Sequence, residues 1–282
     1  MKVLVTGAEG QLGRALALCN DSTHSIWGLS KEECDILDPI RIQKIIAELQ
    51  PDAVIHCAAY TAVDLAEKEV ELCRRINISG TANVAKVCDK YNVAMMLMST
   101  DYVFSGEGDV PYEVYQKRNP LNQYGRSKAE AEDIVCKLRK NYIVRTSWMF
   151  GDGSNFIKTI CRLAQHNSRI NVVADQIGSP TYAVDLAPLL LKILDKKQYG
   201  IYHATNEGFC SWADLASFAI NTAHLEAKIC SVTSDDYGSP AKRPKNSRLS
   251  KKCLTNLGLE RLPHWEDAVM RYLTKLKGLY DE

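Results

Sequence analysis

Five short apolar runs punctuate the first half of the chain: KVLVT (2–6), SIWGL (25–29), AVIHCA (53–58), VAMMLMS (93–99) and YIVRTS (142–147). Each has strand length, and VAMMLMS is apolar almost throughout, as a strand buried on both faces must be. Between the runs lie segments with helical spacing. One falls near Gln11–Leu18, one runs from the Asp38-Pro39 pair through Leu49, one spans Val63 to Arg75, one spans Ser79 to Tyr91, and one carries Tyr124. Asp at a cap with Pro at the first helical position is a strong start signal. Strands alternating with helices predict an α/β fold with a doubly wound parallel sheet. The polar stretch 100–123, rich in Gly, Pro and Asp, predicts a long loop of the kind that carries function.

Beyond residue 150 the rhythm weakens. Strands are expected near Asn171–Val173 and Gly200–Ala204, and helices near Val184–Leu194, Trp212–Ala223 and Trp265–Leu276. The expected division is a sheet domain over 1–150 and a smaller C-terminal α/β lobe over 151–282, with segments of the lobe returning to the sheet.

Composition narrows the class. With 46% hydrophobic positions in 282 residues the chain can bury a sizeable core, and a net charge of +1 offers no electrostatic footprint for nucleic acid or an anionic membrane. The ten cysteines are scattered from Cys19 to Cys253 without a C-x-x-C pair, so buried free thiols in a reducing compartment are expected. Strand-like KVLVT begins at residue 2 and no apolar run reaches membrane-spanning length, which predicts a soluble, cytoplasmic protein.

Candidate chemistry sits at the strand ends. After the first strand, TGAEGQLG places Gly7, Gly10 and Gly13 in a G-x-x-G-x-x-G turn that opens a helix at Gln11 and Leu12. Such a turn lets backbone approach a pyrophosphate, so a Rossmann-type dinucleotide site is expected. After the second strand the chain reads GLSKEE, and Ser30 beside Lys31 leaves room and charge for a 2′-phosphate. That points to NADP(H), with NAD(H) as the alternative. Asp38 is a further adenine-side candidate, although helix capping accounts for it equally well. Ala58, Ala59 and Tyr60 follow the third strand, where small residues let a nicotinamide ribose lie close to backbone. Ser99 and Thr100 end the fourth strand at the same sheet edge.

Tyr124 and Lys128, in YGRSK, are four residues apart and project from one helix face. An ammonium there is expected to lower the phenol pKa, making a proton donor for carbonyl reduction. Y-x-x-x-K is a weak pattern alone. It gains specificity from its order after the glycine turn, the Ser-Thr strand end and the long loop.

The set TGAEGQLG, CAAYTAVDLAE, NISGT, STDYVFSG, PLNQYGRSK, RTSW and RPKNSRL resembles the extended short-chain dehydrogenase/reductases, and among them the dTDP-4-dehydrorhamnose reductase family, from residue 1 to about 275. The resemblance implies reduction of the 4-keto group of a dTDP-linked 6-deoxysugar by NADPH or NADH. It implies Thr100, Tyr124 and Lys128 as the catalytic trio, with Asp101 and Tyr102 contacting the sugar and Trp148 as an aromatic of the substrate pocket. Asn155 and Phe156 would line the nucleotide end, and Arg243 would meet the diphosphate. The family often has an acidic residue near Ser30, whereas here Ser30 and Lys31 come first and Glu32 and Glu33 lie further out, so cofactor choice need not follow. Some members form a metal-linked homodimer through glutamates; Arg14-Ala15 stands where one is expected, so no metal is expected here and a homodimer stays open. A nucleotide-sugar epimerase or dehydratase, and a non-catalytic dinucleotide-binding subunit like the methionine adenosyltransferase β subunit, resemble the same motifs.

Overall fold

The computed structural model describes residues 1–278; the last four residues of the expected C-terminal lobe, 279–282, lie outside the described residues. The first half comprises β1 (Lys2–Thr6), α1 (Gln11–Ala17), β2 (Ser25–Leu29), α2 (Pro39–Leu49), β3 (Ala53–His56), α3 (Val63–Ala66), α4 (Val70–Arg74), α5 (Thr81–Lys90), β4 (Ala94–Thr100), α6 (Gln123–Val135) and β5 (Asn141–Thr146). The second half adds β6 (Met149–Phe150), α7 (Phe156–Ala164), β7 (Arg169–Val173), β8 (Ile177–Gly178), β9 (Thr181–Tyr182), α8 (Ala183–Asp195) and β10 (Gly200–His203). It continues through β11 (Cys210–Ser211), α9 (Trp212–Thr222), β12 (Lys228–Val232), α10 (Ser234–Tyr237), α11 (Lys252–Asn256) and α12 (Trp265–Gly278).

The main sheet runs β10-β5-β4-β3-β1-β2, and every pairing in it is parallel. Strand alternation divides its two faces. Val3, Val5, Ile55, Met96, Met98 and Val144 pack with Leu12 and Leu16 of α1 and the leucines of α8. Leu4, Val54, Met95, Leu97 and Ile143 pack with Ile42 and Ile46 of α2, Val84 of α5 and Val135 of α6. Both faces are covered, which is why these strands are apolar without alternation. The result is the expected Rossmann-type sheet with helices on both sides.

The C-terminal lobe has its own small cores. The parallel pair β7–β12 packs under α7 and α9 through Ile160, Ile170, Val172 and Ile220. Phe150, Tyr182, Leu215, Trp265 and Tyr272 form a second cluster with α12.

One expected element differs. The helix foreseen from Val63 to Arg75 is broken into α3 and α4, and α4 runs through a wide π turn (Arg75–Gly80) directly into α5. Long-range hydrogen bonds accompany the π turn. Asn77, 1% exposed on the π turn, accepts from the Tyr60 backbone N–H at 2.8 Å and donates to the Tyr60 carbonyl at 3.1 Å and to Ser127 Oγ at 2.9 Å. All ten cysteines are free, as expected, but only Cys34, Cys73, Cys88 and Cys210 are buried; Cys19, Cys57, Cys161, Cys230 and Cys253 are partly exposed and Cys136 is exposed. Among the described residues no helix is long and apolar enough to cross a membrane, and no group of three His, Cys, Asp or Glu side chains is arranged to hold a metal ion.

Candidate active site

The strand order reverses at β1, which lies between β2 and β3, so the crevice at the carboxyl ends of β1 and β3 is where ligands enter such a sheet. Gly7 fills that corner at φ +71°, and a Cβ there would lie 2.7 Å from the Ala58 nitrogen. A Cβ on Gly13 would lie 2.4 Å from the Gly7 carbonyl oxygen. Both glycines are therefore needed for the turn to close. Gly10 donates its N–H to the Gly7 carbonyl at 3.1 Å and begins α1 without any side-chain cap, leaving the N–H groups of the first turn facing the crevice. Beside them the Gln11 Oε1 is buried without a hydrogen-bond partner. A backbone cradle with uncapped donors fits a dinucleotide phosphate, whereas the Gln11 oxygen, an acceptor, calls for a hydroxyl or N–H donor.

At the end of β2, Ser30 and Glu33 bond reciprocally: the Ser30 N–H donates to the Glu33 carboxylate at 2.8 Å and the Glu33 N–H to Ser30 Oγ at 3.2 Å. These bonds hold the Glu33 carboxyl below its ordinary pKa. Lys31 is exposed beside them. Asp38 acts as the cap of α2, its Oδ1 accepting from the N–H groups of Ile40 and Arg41 at 3.0 Å each. Tyr60 turns its hydroxyl to Glu69 at 2.7 Å, so only its backbone adjoins Ala58 and Ala59 at the crevice.

The three residues expected to be catalytic, Thr100, Tyr124 and Lys128, come from the end of β4 and the start of α6. β4 ends at Thr100, paired in register with Thr146 of β5, and leads into a tight 3-10 turn over Asp101–Val103. Asn122 caps α6 by accepting from the Gly125 N–H at 2.8 Å. Gly125 lets the helix lie against the turn: a Cβ there would sit 2.3 Å from the Tyr102 carbonyl oxygen. The Tyr102 and Tyr124 rings then meet edge to face at 5.9 Å, and Thr100 donates to Asp101 Oδ1 at 3.1 Å. Ser99, at the same strand end, donates to Glu132 at 2.6 Å and so faces α6 rather than the crevice.

The electrostatics depart from expectation. Burial and the Asp101 carboxylate raise the Tyr124 pKa, and the Thr100 hydroxyl opposes them only in part. The lowering expected from Lys128 is not found: the lysine is not among the groups that shift the phenol, and burial with Asp101 sets the direction. Lys128, 3% exposed, is lowered to about 8 by burial, with Glu132, Cys57 and Cys73 pulling the other way. Asp101, 2% exposed, is raised to about 7 by burial against the hydroxyls of Ser247 and Thr100. His56, fully inside, is pushed down to about 3 by burial and then by Lys128, so it is neutral.

On the lobe side, Trp148 follows β5 at φ +48°, a strained setting for a non-glycine residue. Its ring stacks on Trp212 at 3.8 Å, and Phe156 packs on Trp212 at 4.6 Å. Asn155 caps α7 through the Lys158 N–H and donates to the Gly151 carbonyl at 2.8 Å and the Tyr272 hydroxyl at 2.6 Å. Those bonds occupy its amide, so the structure uses Asn155 to fix the loop instead of leaving it free to line a nucleotide. Arg243 reaches the crevice beside Tyr102 and is held by Asp64. Trp212, Asp64, Asn77 and Gly125 were not among the expected site residues. Asp64, Asn77 and Gly125 lie inside the quoted motifs, whereas Trp212 has no local signal.

The geometry is matched by relatives along the whole chain. Residues 1–277 match the family described as RmlD substrate binding domain. A dTDP-4-dehydrorhamnose reductase of Aggregatibacter actinomycetemcomitans is 41% identical over 88% of this chain and 90% of its own length. The crystal structure of a dTDP-4-dehydrorhamnose reductase from Clostridium acetobutylicum superposes with a TM-score of 0.95 at 37% identity, covering 98% of this chain and 100% of the other. One from Bacillus anthracis, in complex with NADP, gives 0.94 at 38% identity, covering 97% and 99%. A glycine cradle at the sheet's switch point and a Thr-Tyr-Lys cluster at the ends of β4 and α6, carried on a chain this similar, place the protein in the RmlD family of dTDP-4-dehydrorhamnose reductases, and it is an oxidoreductase of that family.

Proposed function

We propose that the chain reduces the 4-keto group of dTDP-4-dehydro-L-rhamnose to give dTDP-L-rhamnose, with NADPH preferred over NADH. The observation that carries this reading is the Thr100 hydroxyl on the Tyr124 phenol, with Lys128 one helical turn on and beside Cys57 at the end of β3, next to the Gly7–Ala58 corner. A nicotinamide dinucleotide held there supplies the hydride that adds to the carbonyl carbon. Gly7, Gly10, Gln11, Leu12 and Gly13 hold its pyrophosphate, and Ala58 and Ala59 border its ribose. Tyr124 gives its proton to the oxygen that becomes the alcohol, and Thr100 donates a hydrogen bond that orients that oxygen. Lys128 holds a ribose hydroxyl and stabilises the phenolate as the proton leaves. Asp101 and Tyr102 flank the sugar, Trp148 walls the pocket, and Arg243 serves the diphosphate.

The preference for NADPH rests on Lys31 and on the absence of an acidic residue at position 30. The Glu33 carboxylate, tied to the Ser30 backbone, is the group that opposes it. The test is nicotinamide oxidation with the dTDP-4-keto sugar generated in place by its preceding enzymes, run with NADPH and with NADH. Oxidation dependent on both sugar and enzyme, faster with NADPH, is expected. Dinucleotide binding without oxidation would overturn the reductase reading.

A further inference from the structure

The contact between Arg243 and Asp64 assigns a role to a residue outside the catalytic trio. Arg243 belongs to a strap, residues 241–247, that bonds to Asp64, Asn122 and Gly106 on one side and to Ile177 of the C-terminal lobe on the other. Asp64, in α3 of the sheet domain, anchors this strap: Oδ1 accepts from the Ala241 N–H at 3.2 Å and from Arg243 Nη1 at 3.0 Å, and Oδ2 accepts from Nη2 at 2.7 Å. Nη1 also donates to the Ala241 carbonyl at 3.2 Å. The strap is held further along by Asn122 donating to the Lys242 carbonyl at 2.7 Å and by the Asn246 N–H donating to the Gly106 carbonyl at 3.0 Å.

A planar guanidinium has five N–H donors, arranged as an end edge (Nη1 with Nη2) and a side edge (Nε with Nη2). Asp64 takes the end edge, and the Ala241 carbonyl takes the remaining Nη1 donor. What is left is the side edge, Nε–H with the second Nη2–H, which no carboxylate or carbonyl among the described residues takes; its one polar neighbour there is the Tyr102 hydroxyl, in hydrogen-bond reach of the guanidinium. That edge adjoins the Tyr102 phenol, and the guanidinium keeps some exposure, its side chain being 21% accessible. A paired edge of this kind matches two oxygens of a phosphate.

We infer that Asp64 is a positioning residue for substrate recognition: by holding the end edge of Arg243 it presents the side edge, already oriented, to the diphosphate of the nucleotide sugar. This rests on the reading of Arg243 as the diphosphate residue. Pre-orientation lowers the entropy lost on binding, so Asp64 acts on affinity and leaves the chemistry at Tyr124 untouched.

The probe is dTDP itself, titrated calorimetrically into the full-length protein with saturating NADPH, for the wild type, Asp64→Ala, Arg243→Ala and the double variant. The expected result is a Kd for dTDP raised about tenfold in each single variant, with the double no weaker than Arg243→Ala alone. In turnover, KM for the nucleotide sugar rises by a similar factor while kcat holds, and the Kd for NADPH is unchanged. Full dTDP affinity in Asp64→Ala, with Arg243→Ala weakened, overturns the inference and leaves the Arg243 reading standing. Full affinity in Arg243→Ala removes both. A loss in Asp64→Ala that persists in the Arg243→Ala background also overturns it, because Asp64 then acts by holding the strap through Ala241.

Discussion

Glu132 and Arg145 meet inside the protein in a two-point ion pair, Oε1 accepting from Nε at 2.9 Å and Oε2 from Nη2 at 2.7 Å, with each side chain 2% exposed. The pair joins α6 to β5 on the same helix face as Tyr124 and Lys128, and Arg118 adds a second cation to Glu132 at 3.2 Å. Removing the carboxylate alone leaves buried guanidinium charge unpaired. Glu132→Ala is expected to destabilise the fold by about 3–5 kcal/mol in urea unfolding. Replacing both partners by methionine should recover most of that loss. A single variant within about 0.5 kcal/mol of wild type would show the pair to be dispensable.

Tyr124→Phe keeps the edge-to-face contact with Tyr102 and removes only the hydroxyl. Turnover should fall by about a hundredfold to ten-thousandfold, with the Kd for NADPH within about twofold of wild type. Steady-state rates alongside a fluorescence titration of the cofactor check both halves. Wild-type turnover would remove Tyr124 from the proton transfer.

Lys128 carries a burial cost whose sign with pH can be worked out. Its folded pKa, about 8, lies below the ordinary 10.5. Below about pH 8 both folded and unfolded chains hold the proton and the cost is carried in full. Between about 8 and 10.5 the unfolded chain binds more protons, so stability rises with pH in that window. Lys128→Met should therefore stabilise the cofactor-free protein at pH 7 by about 1–3 kcal/mol while abolishing activity, and the gain should shrink as pH climbs through the window. Chemical unfolding at pH 7 and near pH 10 tests this, and a gain independent of pH would assign the effect to packing.

Gly125 sets the approach of α6 to the turn carrying Asp101 and Tyr102, since an added Cβ would sit 2.3 Å from a backbone oxygen that cannot rotate away. Gly125→Ala should lower stability by about 1–3 kcal/mol and depress kcat far more than it raises the Kd for NADPH. Equal effects on the two would mean that the glycine serves the fold as a whole.

The strands were legible because burial on both faces writes itself as unbroken apolar runs, and α2 was legible to the residue because Asp38 and Pro39 mark its start. The π turn was not, because Asn77 is drawn inward by Tyr60 and Ser127, partners 17 and 50 positions away. The same holds for Asp64, whose guanidinium partner is 179 positions along the chain. Tyr124 and Lys128 were singled out by their spacing and order, but the direction of the phenol pKa was not legible, since burial and the charge of Asp101 are properties of the assembled site. Asn155 was placed near the ligand by resemblance, whereas its amide is occupied by a helix cap and the Tyr272 hydroxyl.

The return of β10 to the sheet bears on how such proteins can be rebuilt. β10 pairs with β5 along four residues, and α8, just before it, covers Val3, Val5 and Met96. A fragment cut at residue 150 would present β5 as a bare edge and strip α8 from the face of the sheet that it shares with α1. Exchanging everything after that point for the equivalent stretch of a relative would swap part of the hydrophobic interior together with the pocket. Altered sugar preference in this scaffold is thus better sought by changing single residues around Trp148 and the strap than by grafting the second half as a cassette.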